Sequence, residues 1–194
     1  MRKARNLKKR CWWCGEDPTY VKYHDDEWGR PVRNDRKLFE MLILEGFQAG
    51  LSWITILKKR ENFRKAFCNF NPQKISNFSA EDVRRLMNNE GIIRNRLKIR
   101  GAIANAKGYL KIKKEFPSFT EYIWQFTANK SLNRRRRNKF DVPTRSEESD
   151  AMSKDLKKRG FKFVGTTICY AFMQAVGIVD DHVDGCFRAK PLRN

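Results

Sequence analysis

The residue whose position carries the most chemical information is Glu45, a carboxylate among apolar neighbours. Apolar positions around it recur every three and four residues, which predicts a helix with Glu45 on or beside an apolar stripe formed by Leu38, Phe39, Met41, Leu42 and Leu44. Burial of a glutamate costs about 1.4 kcal/mol for each unit by which its pKa moves. An ion pair or a helix cap is the ordinary explanation for such a residue, and a bound ligand is the alternative.

The residues on either side of Glu45 favour the ligand. Gly46 and Gly50 bracket Gln48, and glycines spaced in this way predict a sharp turn where the backbone approaches a ligand. Planar side chains occur in the same stretch, at Tyr20, Tyr23 and Trp53. Recognition of a nucleobase requires stacking on a planar ring and a hydrogen bond to the base edge. The stretch 20–53 therefore predicts a base-binding pocket.

A second group of chemically competent side chains lies near the two ends of the chain. It consists of Cys11, Cys14, His24, His182 and Cys186. In a reducing compartment such clusters are more often metal ligands than disulfides. Cys11 and Cys14 form a C-x-x-C pair, and His182 and Cys186 are four residues apart. Five candidates compete for the four positions of a tetrahedral Zn²⁺ site, and spacing alone eliminates none of them. The sequence predicts a structural zinc that joins the termini.

The charge of the chain indicates its partner. Lys and Arg number 42 against 22 Asp and Glu, which gives a net charge of +20 over 194 residues. An excess of this size, spread through segments that also carry apolar periodicity, favours nucleic acid as the partner. Residues 1–9 are predicted to form a basic flexible tail. Residues 134–137 are four consecutive arginines, and we expect them in an exposed loop that adds non-specific affinity for phosphates.

Nothing in the sequence predicts a membrane protein. The longest weakly polar run, residues 164–179, is too short and too interrupted to cross a bilayer. The basic first ten residues lead into no apolar segment of the kind found in secretory signals. We therefore expect a cytoplasmic protein with access to DNA and no membrane partner.

The hydrophobic periodicity predicts an all-α fold. Helices are expected over 37–49, with Asp35 as the N-cap, and over 52–69, 79–87, 91–109 and 116–126, with Ser79 capping the third of these. Alternating β-branched runs are few, and we find no internal repeat.

The last third of the sequence predicts two helices joined by a tight turn. Ser149 or Asp150 can cap a helix that ends at Arg159, the turn lies between Gly160 and Gly165, and an apolar helix covers 166–176. In a helix–hairpin–helix motif the turn amides and the second helix N-terminus bind a phosphate. An ordinary helical hairpin is the alternative, and as a class it is more common.

Several long motifs occur along the chain, among them Tyr23-His24-Asp25, Glu27-Trp28-Gly29, Leu44-Glu45-Gly46, Gln48-Ala49-Gly50-Leu51-Ser52-Trp53-Ile54 and Gly160-Phe161-Lys162-Phe163-Val164-Gly165-Thr166-Thr167. With these motifs the sequence resembles the DNA-3-methyladenine glycosylase I family, and the resemblance covers nearly all of 10–186. The resemblance implies a helix–hairpin–helix glycosylase that hydrolyses the N-glycosidic bond of 3-methyladenine in alkylated double-stranded DNA. It also implies a monomer with one glycosylase domain over 10–194, arranged as two helical lobes around a base pocket. Because no lysine is placed by a motif as a nucleophile, we expect no lyase activity.

The same resemblance implies roles for individual residues. The four zinc ligands would be Cys11, His24, His182 and Cys186, which leaves Cys14 outside the site. Glu45 would be the catalytic-site carboxylate that hydrogen-bonds the extruded base. The aromatic residues expected around the base are Tyr20, Tyr23, Trp53 and Trp13. Leu51 would wedge into the gap that the extruded base leaves in the duplex.

Two positions depart from the family pattern. Phe47 stands where the family often has glutamine, so we expect altered polarity of the pocket or an altered approach to the duplex. Asp180 stands where the family usually has asparagine. It is either a cap beside the zinc loop or an aspartate that stabilises oxocarbenium character at the sugar. A non-catalytic zinc-stapled protein that binds DNA or RNA is the competing class, although it would not need the Glu45 pocket.

Overall fold

The computed structural model describes residues 8–134 and 136–189, and this part of the chain is mostly helical. Its helices are α1 (Pro18–Asp26), α2 (Asp35–Gln48), α3 (Trp53–Ala66), α4 (Pro72–Ser76), α5 (Ala80–Met87), α6 (Arg96–Glu115), α7 (Phe119–Trp124), α8 (Glu147–Lys158) and α9 (Thr166–Ala175). Two short parallel strands, β1 (Leu132–Asn133) and β2 (Val179–Asp180), pair with Leu132 opposite Val179. The prediction of a helical fold is confirmed.

The capping residues of the first helices agree with the sequence analysis in part. Ser79 caps α5 in a capping box with Asp82, as predicted. The prediction that Asp35 caps α2 is wrong, because Asn34 accepts the hydrogen bond from the Lys37 amide. Asp35 instead accepts hydrogen bonds from the amide and hydroxyl of Thr120 at 2.9 and 2.7 Å, at the start of α7. Its carboxylate thereby ties α2 to α7.

The starts of α6 and α8 also differ from the predictions. Asn95 caps α6, so the segment 91–95 is not part of the helix that we expected over 91–109. Ser146 is the N-cap of α8, in a box with Ser149 whose hydroxyl accepts from the Ser146 amide, so Ser149 and Asp150 lie inside the first turn and neither is the N-cap. Both differences have the same cause: a local asparagine or serine satisfies the free helix amides earlier or later than the apolar pattern suggests.

Helix α2 is the central element of the core. All ten residues from Leu38 to Phe47 are buried, and α2 packs against α3, α6, α7 and α9. A helix that is apolar on every side is buried on every side. Each fully buried leucine or phenylalanine contributes about 1.5–3 kcal/mol to such packing. Glu45 therefore belongs to the least solvated helix of the described structure.

The C-terminal end of α2 is held by a lysine from another helix. No basic residue lies in the last turn of α2. Lys98 of α6 is buried, and its Nζ donates to the carbonyl oxygens of Phe47 at 2.8 Å and Ala49 at 2.5 Å. A cation at a helix C-terminus satisfies the free carbonyls and complements the helix dipole. This contact fixes the direction in which the chain leaves α2.

Of the four consecutive arginines, Arg135 lies outside the described residues. Arg134 is exposed and pairs with Glu148 at 2.5 Å. The prediction of exposure is wrong for Arg136, which is half-buried and forms an ion pair with the fully buried Asp181 at 2.7 Å. A buried carboxylate needs such a partner, so Arg136 anchors the loop to the core.

Residues 1–7 of the predicted basic tail also lie outside the described residues. Among the residues that are described, no helix combines the length and the apolar composition that crossing a bilayer requires.

Candidate active site

Glu45 and its predicted aromatic neighbours line one cavity of about 190 Å³. A single water molecule needs roughly 10 to 15 Å³ by a similar measure, so the space admits a ligand. The lining residues are Trp12, Trp13, Tyr20, Tyr23, Trp28, Glu45, Gln48, Trp53, Val142, Ala171 and Gln174. They come from a 3-10 helix at Trp12–Cys14, from α1, α2, α3 and α9, and from the segments between helices. The structure thus brings together the predicted pocket residues, with the exception of Leu51.

The walls of the cavity are aromatic. The Trp13 ring centroid lies 5.0 Å from that of Tyr20 and 4.9 Å from that of Trp28, in an edge arrangement with the latter. Tyr23 lies 5.6 Å from Trp53. Tilted and edge contacts at these distances stabilise a rigid aromatic cluster. The cavity is therefore preformed and presents planar faces to a ligand.

Glu45 is the buried acid in this aromatic wall. Its exposed fraction is 3%, and burial raises its pKa from 4.5 to about 8. Among the described residues none forms a hydrogen bond or an ion pair with its carboxylate, so the ordinary explanations, an ion pair or a helix cap, are wrong. Burial also raises the pKa of Tyr23, and the nearby Glu45 charge adds to that effect. The carboxylate is available to a ligand in the cavity.

Leu51 lies outside the cavity and is 41% exposed. It follows Gly50, whose φ of +78° is in the region that favours glycine, and its amide donates to the Gln48 carbonyl. An apolar side chain is thereby presented to solvent directly beside the pocket residues.

Phe47 belongs to the core. It is 1% exposed, and its ring packs against Phe63 at 4.8 Å and Phe67 at 5.7 Å. Since Phe47 does not line the cavity, the expectation that it alters pocket polarity is wrong. Residues 45 and 47 are two positions apart on a helix, and such residues face different directions.

Six lining residues were not selected from the sequence as pocket residues: Trp12, Trp28, Gln48, Val142, Ala171 and Gln174. Ala171 and Gln174 lie three residues apart on α9, which is the spacing of one helix face. Trp28 belongs to a motif already noted, and it could have been found from that motif. No sequence signal indicates Val142, because it reaches the cavity from the segment between β1 and α8.

A network of polar side chains lies behind Gln174. Its Nε2 donates to the Asp181 carboxylate at 2.8 Å. The Tyr170 hydroxyl donates to the same carboxylate at 2.6 Å, and Arg136 Nε donates to it at 2.7 Å. Three donors therefore satisfy a carboxylate that has no exposure to solvent.

The predicted metal ligands come together from both ends of the chain. Cys11, His24 and Cys186 present ligand atoms that all lie within 4.8 Å of one another. The His182 ring lies 5.3 Å from the His24 ring, and its buried Nε2 has no hydrogen-bond partner within residues 8–134 and 136–189. Cys14 is buried but does not belong to this group. An orphaned ring nitrogen beside two thiols and an imidazole fits the N and S donor set that zinc prefers.

Carboxylates orient both histidines. His24 Nδ1 donates to Asp25 at 2.8 Å, and His182 Nδ1 donates to Asp180 at 2.6 Å. This arrangement would leave Nε2 as the ligating atom of each ring if a metal binds, as in carboxylate–histidine–zinc triads. A hydrogen bond from Cys11 lowers the pKa of Cys186, which favours a thiolate. Asp180 contacts His182 and does not line the cavity.

A helical fold around an aromatic cavity with a buried, unpaired carboxylate has the features of a DNA glycosylase. The sequence matches the methyladenine glycosylase family over residues 13–189, and the chain belongs to that family. It is thereby an enzyme of the hydrolase class that acts on N-glycosyl bonds.

Relatives support the same assignment. DNA-3-methyladenine glycosylase 1 of Escherichia coli (strain K12) is 52% identical over 178 residues, which cover 92% of this chain and 95% of that protein. A crystal structure of 3-methyladenine DNA glycosylase I superposes with a TM-score of 0.92 at 52% identity and covers 94% of this chain and 100% of that one. A variant of 3-methyladenine DNA glycosylase I in complex with 3-methyladenine has a TM-score of 0.90 at 37% identity and covers 95% and 99% of the two chains.

Proposed function

We propose that this protein removes 3-methyladenine from alkylated double-stranded DNA by hydrolysis of the N-glycosidic bond. The observation that carries the proposal is the buried carboxylate of Glu45, which has no partner among the described residues and lines an aromatic cavity. A relative with 37% identity has been solved in complex with 3-methyladenine, which supports this choice of base. The protein is further proposed to act as a monomer in the cytoplasm.

The chemistry of the lesion matches the cavity. Methylation at N3 makes adenine a cation, which weakens its bond to the sugar and makes it a good leaving group without prior protonation. Electron-rich aromatic faces attract such a cation, and an ionised Glu45 stabilises it relative to neutral adenine. Extrusion from the stack costs least for a damaged base. Excision of this lesion therefore depends more on selective binding of the damaged base than on acid catalysis.

The route of the base into the cavity is proposed from two surface features. Leu51 is exposed beside the pocket and would fill the gap left in the duplex. Helices α8 and α9 are joined by a turn that contains Gly160 and Gly165, and both glycines have open space around them. We propose that this turn is the helix–hairpin–helix element that binds a phosphate, supported by the net charge of +20.

We propose that Cys11, His24, His182 and Cys186 hold a structural Zn²⁺. The ion would join the segment before α1 to the segment after β2 and support the aromatic wall, because Cys11 precedes Trp12 and Trp13 directly. No step of the reaction requires it.

The test is release of free 3-methyladenine from methylated duplex DNA by the wild type and by Glu45→Gln. We expect the variant to lose at least about 100-fold in turnover, because a neutral amide cannot balance the charge of the base. Binding to undamaged duplex should remain, since Glu45 does not reach the surface. Glu90→Gln, which changes an exposed carboxylate that does not line the cavity, should behave as wild type.

Two results would contradict the proposal. A wild-type protein that binds methylated DNA and releases no base would favour the competing class of non-catalytic binding protein. A nicked product from purified enzyme would overturn the prediction of hydrolysis without lyase activity.

A further inference from the structure

Gln174 is a lining residue of the cavity whose amide orientation is fixed by its surroundings. Its Nε2 donates to Asp181 Oδ2 at 2.8 Å. An ionised carboxylate accepts hydrogen bonds and cannot donate them, so the amide nitrogen is the end that faces Asp181. The carbonyl Oε1 has no hydrogen-bond partner among the described residues. It is the amide atom that remains for the cavity.

Asp181 is held so that it cannot turn away from Gln174. The carboxylate is fully buried, with the Tyr170 hydroxyl at 2.6 Å and Arg136 Nε at 2.7 Å. Arg136 also donates to the Tyr170 hydroxyl at 3.2 Å. Arg136, Tyr170 and Asp181 thus form a connected network behind the cavity wall, and Gln174 is the member of that network that reaches the cavity.

We infer that Gln174 Oε1 accepts a hydrogen bond from the exocyclic amine of the bound base and so selects adenine-type over guanine-type lesions. This inference rests on the proposed function. The cavity then offers two acceptors from two helices that pack together, the Glu45 carboxylate on α2 and Gln174 Oε1 on α9. The amine at C6 of 3-methyladenine carries two N–H groups, one for each acceptor.

The competing lesion differs at this contact. In 3-methylguanine a carbonyl oxygen replaces the amine at C6 and an amine is added at C2, while the positive charge, the planar ring and the methyl position are the same. Aromatic stacking and the negative charge of Glu45 attract both bases, whereas the hydrogen bonds that Glu45 and Gln174 Oε1 accept require the C6 amine. An acceptor held in a fixed orientation disfavours the C6 carbonyl, because two acceptor oxygens that face each other leave both unsatisfied.

The experiment uses duplex DNA methylated with dimethyl sulfate, which contains both lesions, and measures the initial rates of release of the two bases in one reaction. For Gln174→Met, which keeps the side-chain length and removes the acceptor, we expect the ratio of 3-methyladenine to 3-methylguanine release to fall about tenfold, the value of one hydrogen bond. Gln73→Met, on the exposed surface of α4, should leave the ratio at the wild-type value. The ratio is independent of the fraction of folded enzyme.

A second variant tests the orienting role of Asp181. Asp181→Asn can donate to Gln174 Oε1, which allows the Gln174 amide to turn its Nε2 toward the cavity and to donate to a guanine carbonyl. The release ratio should then fall at least as far as in Gln174→Met. A wild-type ratio in Gln174→Met would overturn the inference and leave the proposed function intact. Failure of the wild type to release either base would overturn the proposed function itself.

Discussion

At the scale of single residues, Glu45 is a side chain whose burial disfavours folding although the core around it is well packed. Its neighbours on α2 are apolar and buried, and no partner among the described residues compensates its charge. Burial raises its pKa to about 8, so the free protein carries this carboxyl mostly protonated at neutral pH. A cationic base that enters the cavity supplies the missing charge and favours ionisation of Glu45.

The raised pKa predicts a pH dependence of stability. Between about pH 4.5 and pH 8 the folded protein keeps the Glu45 proton and the unfolded chain releases it. The free energy of unfolding should therefore fall by about 1.4 kcal/mol for each pH unit across this window and level off above it. Urea unfolding of wild type and Glu45→Gln at several pH values measures the effect. The variant should gain stability relative to wild type as the pH rises, and a constant difference would contradict the assignment.

At the scale of secondary-structure elements, the end of α2 decides the placement of the pocket residues. Glu45 lies in the last turn of α2, and the chain then passes Leu51 and enters α3 at Trp53. Lys98 of α6 holds two carbonyl groups at this end. Desolvation lowers the pKa of Lys98, but its two hydrogen bonds retain the ammonium in a buried position.

Removal of this lysine should affect both stability and binding. Lys98→Met keeps most of the side-chain volume and leaves the carbonyls of Phe47 and Ala49 without a charged donor. We expect a loss of about 1–3 kcal/mol in the free energy of unfolding and a larger change in KM for duplex DNA than in kcat, since the Leu51 turn loses its support. Lys107→Met, an exposed substitution on α6, is the matched control. Equal behaviour of the two variants would show that Lys98 has no positioning role.

At the scale of the whole molecule, the proposed metal centre connects residues that are far apart in sequence. Cys186 Sγ lies 3.4 Å from His24 Nε2, across a separation of 162 residues. Residues on both sides of this centre line the cavity or support it, because Trp13 contacts the His24 ring at 5.2 Å and Trp28 contacts the His182 ring at 4.6 Å. The cluster therefore links the contact between the two terminal segments to the shape of the pocket.

Metal content and thermal stability test this coupling. The Cys186→Ser variant should purify without the one equivalent of zinc expected for the wild type. A loss of about 3 kcal/mol would lower its Tm by roughly 6–12 °C. Cys14→Ser, which changes a buried thiol outside the ligand group, should retain the metal. Full zinc occupancy in Cys186→Ser, or its loss in Cys14→Ser, would require a different ligand set.

The sequence by itself determined the features that depend on neighbouring residues. Apolar spacing predicted seven of the nine helices of the described residues but not α1 and α4. Ser79 was correctly identified as a cap, and a carboxylate within an apolar stripe indicated the pocket. These signals are local, because helical periodicity and capping act over one or two turns. The resemblance of long motifs also identified the family.

Only the tertiary structure decided which side chains meet. In the folded protein Phe47 lies in the core, and Asp35 accepts hydrogen bonds from the start of α7. Arg136 pairs with the buried Asp181, and Gln174 lines the cavity. Each of these outcomes depends on contacts between elements distant in the chain, such as the 45 residues that separate Arg136 from Asp181. A local pattern shows which face of a helix is apolar, but the partner of that face is set by how all the elements pack together.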